Sequence, residues 1–526
     1  MRLSGMSRQA TFGTALAVLS FLVYVCTIFA LPQVRNARYC CEQSSVAAGV
    51  SNVMYGTQLG SFYSGGFDYF IAHFDEPLER ALEKVQTPGA GLPAAPPGEL
   101  FKTTRDGNGI GYPLVATAAF RLFGLHAWGL TLVMLILMAL SAGTFLLRFS
   151  GAAFGVVILY FSALTVMLFT PLVWDPGYAL QIPVGGIRYF SLVSVLPIFH
   201  ILFNLLDAHA IKLTTGRRRN AVLLGLQTVV LMLTMLVRGS ALPLIGAIAL
   251  VWLALAWRRR RNPGARRALI DNAALIGLVS VGVLGTIAVS VPSNYVTEGR
   301  FGTVIWQRVT ESLGLNSSWP FPGVNDMFDC KKYIPEGIQG GTPDANGHCI
   351  WLDYVSKHNI PIETIGDKTY GSLYEAALRH AFFKIAARYP GEVLKTFVYY
   401  KPRYIVWSIA QSLRFNFAAD QAMAVNPAGP RVVSYPPLAV GLLLFSLGVA
   451  LAYFSIETVT FSDIARIAGV TLLSALFTLP TYFAVWAVPH TSADLLLYCL
   501  FACGLALSAI PVSVRWARGV RLQRRK

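Results

Sequence analysis

The carboxylates and cations best suited to chemistry stand outside the apolar runs of this chain. Glu42 lies in Cys41-Glu42-Gln43-Ser44-Ser45, shortly after a first apolar run. Asp106 sits among glycines in Asp106-Gly107-Asn108-Gly109-Ile110-Gly111-Tyr112-Pro113. Glycines there let backbone N–H groups approach a ligand closely. A helix starting at Pro113 places its electropositive N-terminus beside that turn. Either carboxylate has the chemistry of a general base. Asp68, in Gly66-Phe67-Asp68-Tyr69-Phe70, is an acidic candidate for substrate contact. Among the cations, Arg238 interrupts the apolar stretch 220–257, which is about twice the length of one membrane crossing. A single Arg at such a hairpin tip suits a forked contact with phosphate. The ordinary readings stand beside these: a solvated carboxylate, an N-capping Asp in a turn, an Arg anchored at a membrane interface.

These residues need a scaffold, and the composition names its class. Of 526 residues, 55% are hydrophobic and only 13% charged, against about 25% charged in soluble proteins. Apolar stretches near the length of a bilayer crossing recur. The expectation is an all-α polytopic membrane protein with about ten spans, roughly 11–31, 128–147, 151–173, 186–206, 220–237, 240–257, 272–292, 436–455, 466–486 and 494–514. The net charge of +17 comes from Lys and Arg in short runs flanking apolar segments. That pattern fixes orientation and excludes a nucleic-acid platform. It puts both termini in the cytoplasm; the expected location is a bacterial inner membrane.

Five regions follow: a first span 1–31, an outer loop with amphipathic helices 32–127, a bundle 128–292, an outer-face domain 293–435 and C-terminal spans with a basic tail 436–526. Residues 42–55 read as a helix, with Val46, Gly49, Val50 and Val53 near one face. Segment 113–124 reads as an amphipathic helix lying at the outer surface or leading into the second span. Residues 293–366 read as irregular, being rich in Gly, Pro, Asn and Asp; 368–415 read as helical, broken at Pro390-Gly391. The mixture around Tyr399, Tyr400, Lys401 and Arg403 suits a membrane interface. Span interiors read as nearly free of ionisable groups, which argues against a pump. Cys330 and Cys349 share an outer loop and form a plausible disulfide in an oxidising compartment. No metal-ligand spacing is present, so neither metal nor cofactor is expected.

The layout resembles the GT-C type of membrane glycosyltransferases, mainly over the first 150 residues. Cys41-Glu42-Gln43 through Tyr55-Gly56 matches a short outer helix that follows an acidic pair in that family; here Glu42 stands alone. Gly111-Tyr112-Pro113-Leu114 to Leu122-Phe123-Gly124 matches a Pro-led helix ending in Phe-Gly. Val237-Arg238-Gly239-Ser240 and the segment Tyr374 to Pro390 are similar more loosely. The resemblance implies transfer of a sugar from a polyprenyl-phosphate carrier in the lipid bilayer to a glycan, lipid or protein acceptor. Glu42 or Asp106 would be the base, and Arg238, Arg308, Lys401 or Arg403 the phosphate ligands. The alternative is a non-catalytic lipid-linked-glycan translocase or an envelope assembly protein.

Overall fold

The computed structural model describes residues 42–89, 91–102, 110–149, 185–207, 217–237, 242–259, 305–329, 343–360 and 367–403, with scattered positions elsewhere. Those residues are mostly helical, with two short strands. The expected spans 151–173 and 494–514, and most of 11–31, 272–292, 436–455 and 466–486, lie outside them.

The first group begins with α1 (Gln43–Tyr55), which ends at Gly56 in a left-handed conformation. The helix is buried on nearly every side from Ser44 to Asn52, not on one face. Its run of Ser, Ala and Gly explains this, because small side chains let neighbours close in. Strand β1 (Ser61–Tyr63) leads into α2 (Ser64–Ala72) and α3 (Leu78–Val85). The Pro/Gly-rich stretch that follows forms no regular element among its described residues. The chain then returns as β2 (Leu100–Lys102), antiparallel to β1 with Ser61 opposite Lys102.

Helix α4 (Gly111–Phe123) lies against α1, where Gly49 meets Ala116 and Phe120. It starts two residues before Pro113, which occupies the first turn, where its missing N–H costs nothing. Of the two expected placements, at the surface or leading into the next span, the helix takes the second, and it is packed between neighbours, with Tyr112, Val115, Ala116, Ala119 and Phe120 buried. Its small residues again allow close approach. Helix α5 (Ala127–Phe149) follows at once. Its first N–H, of Ala127, donates to Glu79 Oε2 of α3 at 2.6 Å, and His126 Nδ1 lies 2.6 Å from Glu79 Oε1. The carboxylate thus satisfies a helix-start donor that has no partner within the helix.

A 3-10 helix (Ile187–Ser194) runs directly into α6 (Val195–Asp207), followed by α7 (Arg217–Val237) and α8 (Leu242–Arg259). The windows Ala127–Phe145 and Arg219–Val237 are long and apolar enough to cross a membrane; α6 and α8 hold shorter apolar stretches. The helix interiors also hold hydrogen-bonded polar side chains. Ser141 Oγ pairs with Gln227 Oε1 at 2.8 Å, and Gln227 Nε2 donates to Ser141 O at 2.7 Å. Near the other end of α5, Arg148 Nε and Asn220 Nδ2 both donate to Asn204 Oδ1. His200 is fully buried, edge-on to Phe145. Polar groups survive here because they meet across helices, a pairing that one-dimensional hydropathy does not register.

The second group has its own core, with Leu313, Phe321, Val324, Ile350, Leu378, Ala381 and Ile385 at its centre. It contains α9 (Ile305–Glu311), a 3-10 turn (Ser312–Leu315), α10 (Val324–Met327), α11 (Pro343–Lys357), α12 (Asp367–Arg388) and α13 (Pro390–Lys395). The break before Pro390 stands where the sequence placed it. The irregular reading of 293–366 does not hold, since α9, α10 and α11 fall inside it. Distant partners stabilise that part. Glu375 of α12 accepts the N–H groups of Trp306 and Gln307 at the start of α9. Asn316 Nδ2 donates to Glu392 and Thr396, while its Oδ1 accepts from Ser318 N.

Candidate functional site

Glu42 stands at the N-cap of α1, and its side chain reaches a different element. Its Oε1 accepts the N–H of Ile187 at 2.8 Å, and the residue is only 2% exposed. Ile187 is the first residue of the 3-10 helix, so the carboxylate satisfies an unpaired donor at a helix start. A negative charge is favoured there. Two residues earlier, Gly185 adopts a φ of +94° and its would-be Cβ lies 2.6 Å from Thr131 Cα at the start of α5. Only glycine accepts that combination of angle and approach.

Tyr112, the second residue of α4, grips the same turn. Its hydroxyl donates to Gly185 O at 3.0 Å, and its fully buried ring stands edge-on to Phe190. Glu42 and Tyr112 therefore hold residues 185–187 between them. The start of α4 also meets the end of α7: a Cβ at Gly111 would collide with the backbone of Leu236 and Val237. Tyr112, Phe190, Val193, Val230 and Val237 share one buried cluster.

Asp106 and Arg238 themselves lie outside the described residues. Their nearest described neighbours do not. Val237 immediately precedes Arg238, and Gly111 follows Asp106 by five positions; these two neighbours are in contact. Sequence reasoning missed the Gly185–Ile187 turn and the part played by Tyr112. The signal for the turn was Pro183-Val184-Gly185-Gly186 ahead of an apolar run; Tyr112 stood inside the glycine motif already singled out.

Beside Gln43 is a recess of about 290 Å³, counting space open to solvent, lined by Val46, Phe70, His73, Phe74 and Glu76 among others. Both Glu76 oxygens accept from Lys84 Nζ, which holds this carboxyl below its ordinary range. Tyr69 donates its hydroxyl to Ala81 O, and burial, with the charge of Glu76, pushes its phenol up to about 12. Asp68 is on the exposed side of α2, whereas Phe70 of the same helix is buried.

In the second group, Arg308 belongs to α9, and its side chain lies outside the described atoms. Lys401 is 0% exposed; its Nζ donates to Ser312 Oγ at 3.3 Å and lies 5.4 Å from the Phe397 ring centroid. Burial pushes this ammonium down to about 7. Such a group is placed to hold the fold, not to greet a lipid phosphate. Arg403 is partly buried and donates to Tyr399 Oη at 2.8 Å. Cys349 is buried and disulfide-bonded; its partner, like Cys330, lies outside the described residues. Asp329, next to Cys330, donates its N–H to Asp353, one turn beyond Cys349 on α11. Among the described residues, no three His, Cys, Asp or Glu stand together as metal ligands. Comparison with known proteins returns no match to any family model, curated protein or solved structure.

Proposed function

We propose that the chain is a polytopic membrane glycosyltransferase. It moves a sugar from a polyprenyl-phosphate donor to a glycan, lipid or protein acceptor on the outer face. In this reading the ten spans keep both termini in the cytoplasm, with 32–127 and 293–435 outside, in a bacterial inner membrane. The membrane-length helices α5 and α7 support the scaffold. The observation that carries the reading is the junction of α1, α4, the 185–187 turn and α7. It buries the Glu42 carboxylate and brings together the described neighbours of Asp106 and Arg238.

The chemistry is a single displacement. Asp106 or Glu42 takes the proton from the acceptor hydroxyl as its oxygen attacks the anomeric carbon. The bond from that carbon to the carrier phosphate breaks, and the electron pair leaves with the phosphate. Arg238 stabilises the charge gathering there. Polyprenyl phosphate is a good leaving group, so no general acid is required. Glu42, bound to a backbone N–H and nearly without solvent, is the more constrained base. Asp106 therefore takes first place, with Glu42 fixing the 185–187 wall.

The hydrogen-bonded polar groups inside α5, α6 and α7 favour a second reading, a translocase of lipid-linked glycan. Ser141 and Gln227 satisfy one another, however, which is the behaviour of a helix-packing contact. The experiment is complementation of a deletion strain with Asp106→Asn, Glu42→Gln and Arg238→Lys, each at wild-type protein level. Surface glycan should be lost and the polyprenyl-phosphate sugar should accumulate on the outer leaflet. Loss of a general base lowers rate by about 10²–10⁴-fold. Normal glycan from both carboxamide variants removes this site. Donor trapped on the inner leaflet points to the translocase.

A further inference from the structure

The helix that closes the second group carries apolar side chains on its exposed side as well as on its packed side. Backbone from Pro390 to Arg403 stays helical, through a π turn at Thr396–Tyr400. One side, with Val393 and Phe397, packs into the core of that group. The other side carries Leu394, 64% exposed, and Val398, 68% exposed, one turn apart, with Tyr399 half-exposed beside them. Exposed aliphatic side chains beside a packed face call for an apolar neighbour there as well.

The exposed side has cations at both ends. The Lys395 ammonium stands 5.5 Å from the Tyr400 ring centroid. At the far end the Arg403 guanidinium lies 5.6 Å from the Tyr399 ring centroid, and its Nη1 donates to that hydroxyl. Aliphatic side chains flanked by Tyr, Lys and Arg form the pattern of a bilayer interface. Stems and rings enter the acyl boundary while charged heads stay among the headgroups. The ridge is a few side chains wide, narrow beside the roughly 800 Å² per partner of a standard protein interface.

We propose that Leu394, Val398 and Tyr399 seat this helix in the headgroup region of the bilayer, with Lys395 and Arg403 on anionic lipid phosphates. The inference rests on the membrane reading above and adds a contact separate from the spans. It gives the second group a fixed height over the lipid surface, where a lipid-borne substrate would arrive.

The test uses the full chain in nanodiscs of phosphatidylcholine with added phosphatidylglycerol, the lipids carrying brominated acyl chains. A dansylalanine residue replaces Leu394, Val398 or, as a solvent-exposed control, Asp326. Brominated lipid should quench most of the emission at 394 and 398 and little at 326; aqueous iodide should do the reverse. Combining Lys395→Gln with Arg403→Gln, or omitting phosphatidylglycerol, should weaken the lipid quenching. Iodide quenching at 394 and 398 overturns the inference in favour of a solvated face. Protection from both quenchers overturns it in favour of a second copy of the chain. A chain that fails to enter nanodiscs removes the membrane reading itself, which separates that failure from this one.

Discussion

Gly111→Ala tests the junction by sign as well as size. In a helix this change ordinarily stabilises, by about 0.5–1 kcal/mol, because alanine loses less backbone freedom. At Gly111 the added methyl falls on the backbone of Leu236 and Val237, which cannot swing aside as a flexible side chain would. Overpacking of this kind costs about 1–3 kcal/mol. Relief requires α4 to move away from α7, and Tyr112 moves with it. Its 3.0 Å bond to Gly185 then lengthens past hydrogen-bonding distance, leaving buried polar atoms unpaired at about 1–3 kcal/mol. The two terms share one movement and do not simply add, so the expected net loss is about 2–4 kcal/mol. Gly143→Ala on α5 is the control, because nothing lies within 4 Å of its added methyl. Thermal melting of the purified full chain in one detergent gives the comparison. Gly143→Ala should match or exceed wild type, and Gly111→Ala should melt well below it. Equal melting of the two variants refutes the close contact between α4 and α7.

Three further expectations follow from single contacts. Glu79→Ala removes the cap of α5 and should cost about 1–2 kcal/mol, while Glu83→Ala, exposed on the same helix, should leave melting unchanged; equal melting of the two dismisses the cap. Lys401 has its folded pKa near 7, below its ordinary 10.5, so between those values the unfolded chain binds more protons. Stability should therefore rise with pH across that window and be flat below it, and Lys401→Met should lose the slope; an unchanged slope in Lys401→Met places the titration elsewhere. Peptide mapping without reduction should recover Cys330 joined to Cys349, and losing that link should cost about 3 kcal/mol in the chain-entropy view; a different partner for Cys349 ends the assignment.

The elements legible in the sequence were those that their own residues define. Helix α1, the breaks at Gly56 and Pro390, and the limits of α5 and α7 all follow from local punctuation and apolar length. Helices α9 and α11 escaped because Gly, Pro and Asn around them read as loop, while Glu375 supplies the cap of α9 from 69 positions away. The buried polar pairs escaped for the same reason: Ser141 and Gln227 look like lone polar residues until helices 86 positions apart are brought together.

The candidate site shows the same division more sharply. Glu42 was singled out by type and place, yet its partner Ile187 is 145 residues distant and offers only a backbone N–H, which no sequence motif encodes. Tyr112 and Gly185 are 73 residues apart and joined the same way. Side-chain chemistry is written locally, whereas the walls that aim it are built from main-chain donors and acceptors of other segments. A carboxylate held by such a donor has less freedom to exchange a proton than one without it. In the proposed function that constraint on Glu42 puts Asp106 first as base. It also gives Glu42→Gln, which keeps an acceptor oxygen for Ile187, a milder expected effect than Asp106→Asn. Glu42→Ala leaves that buried N–H unpaired and should cost about 1–3 kcal/mol in stability. If Glu42→Gln instead abolishes product while Asp106→Asn spares it, the roles exchange and the wall itself carries the base.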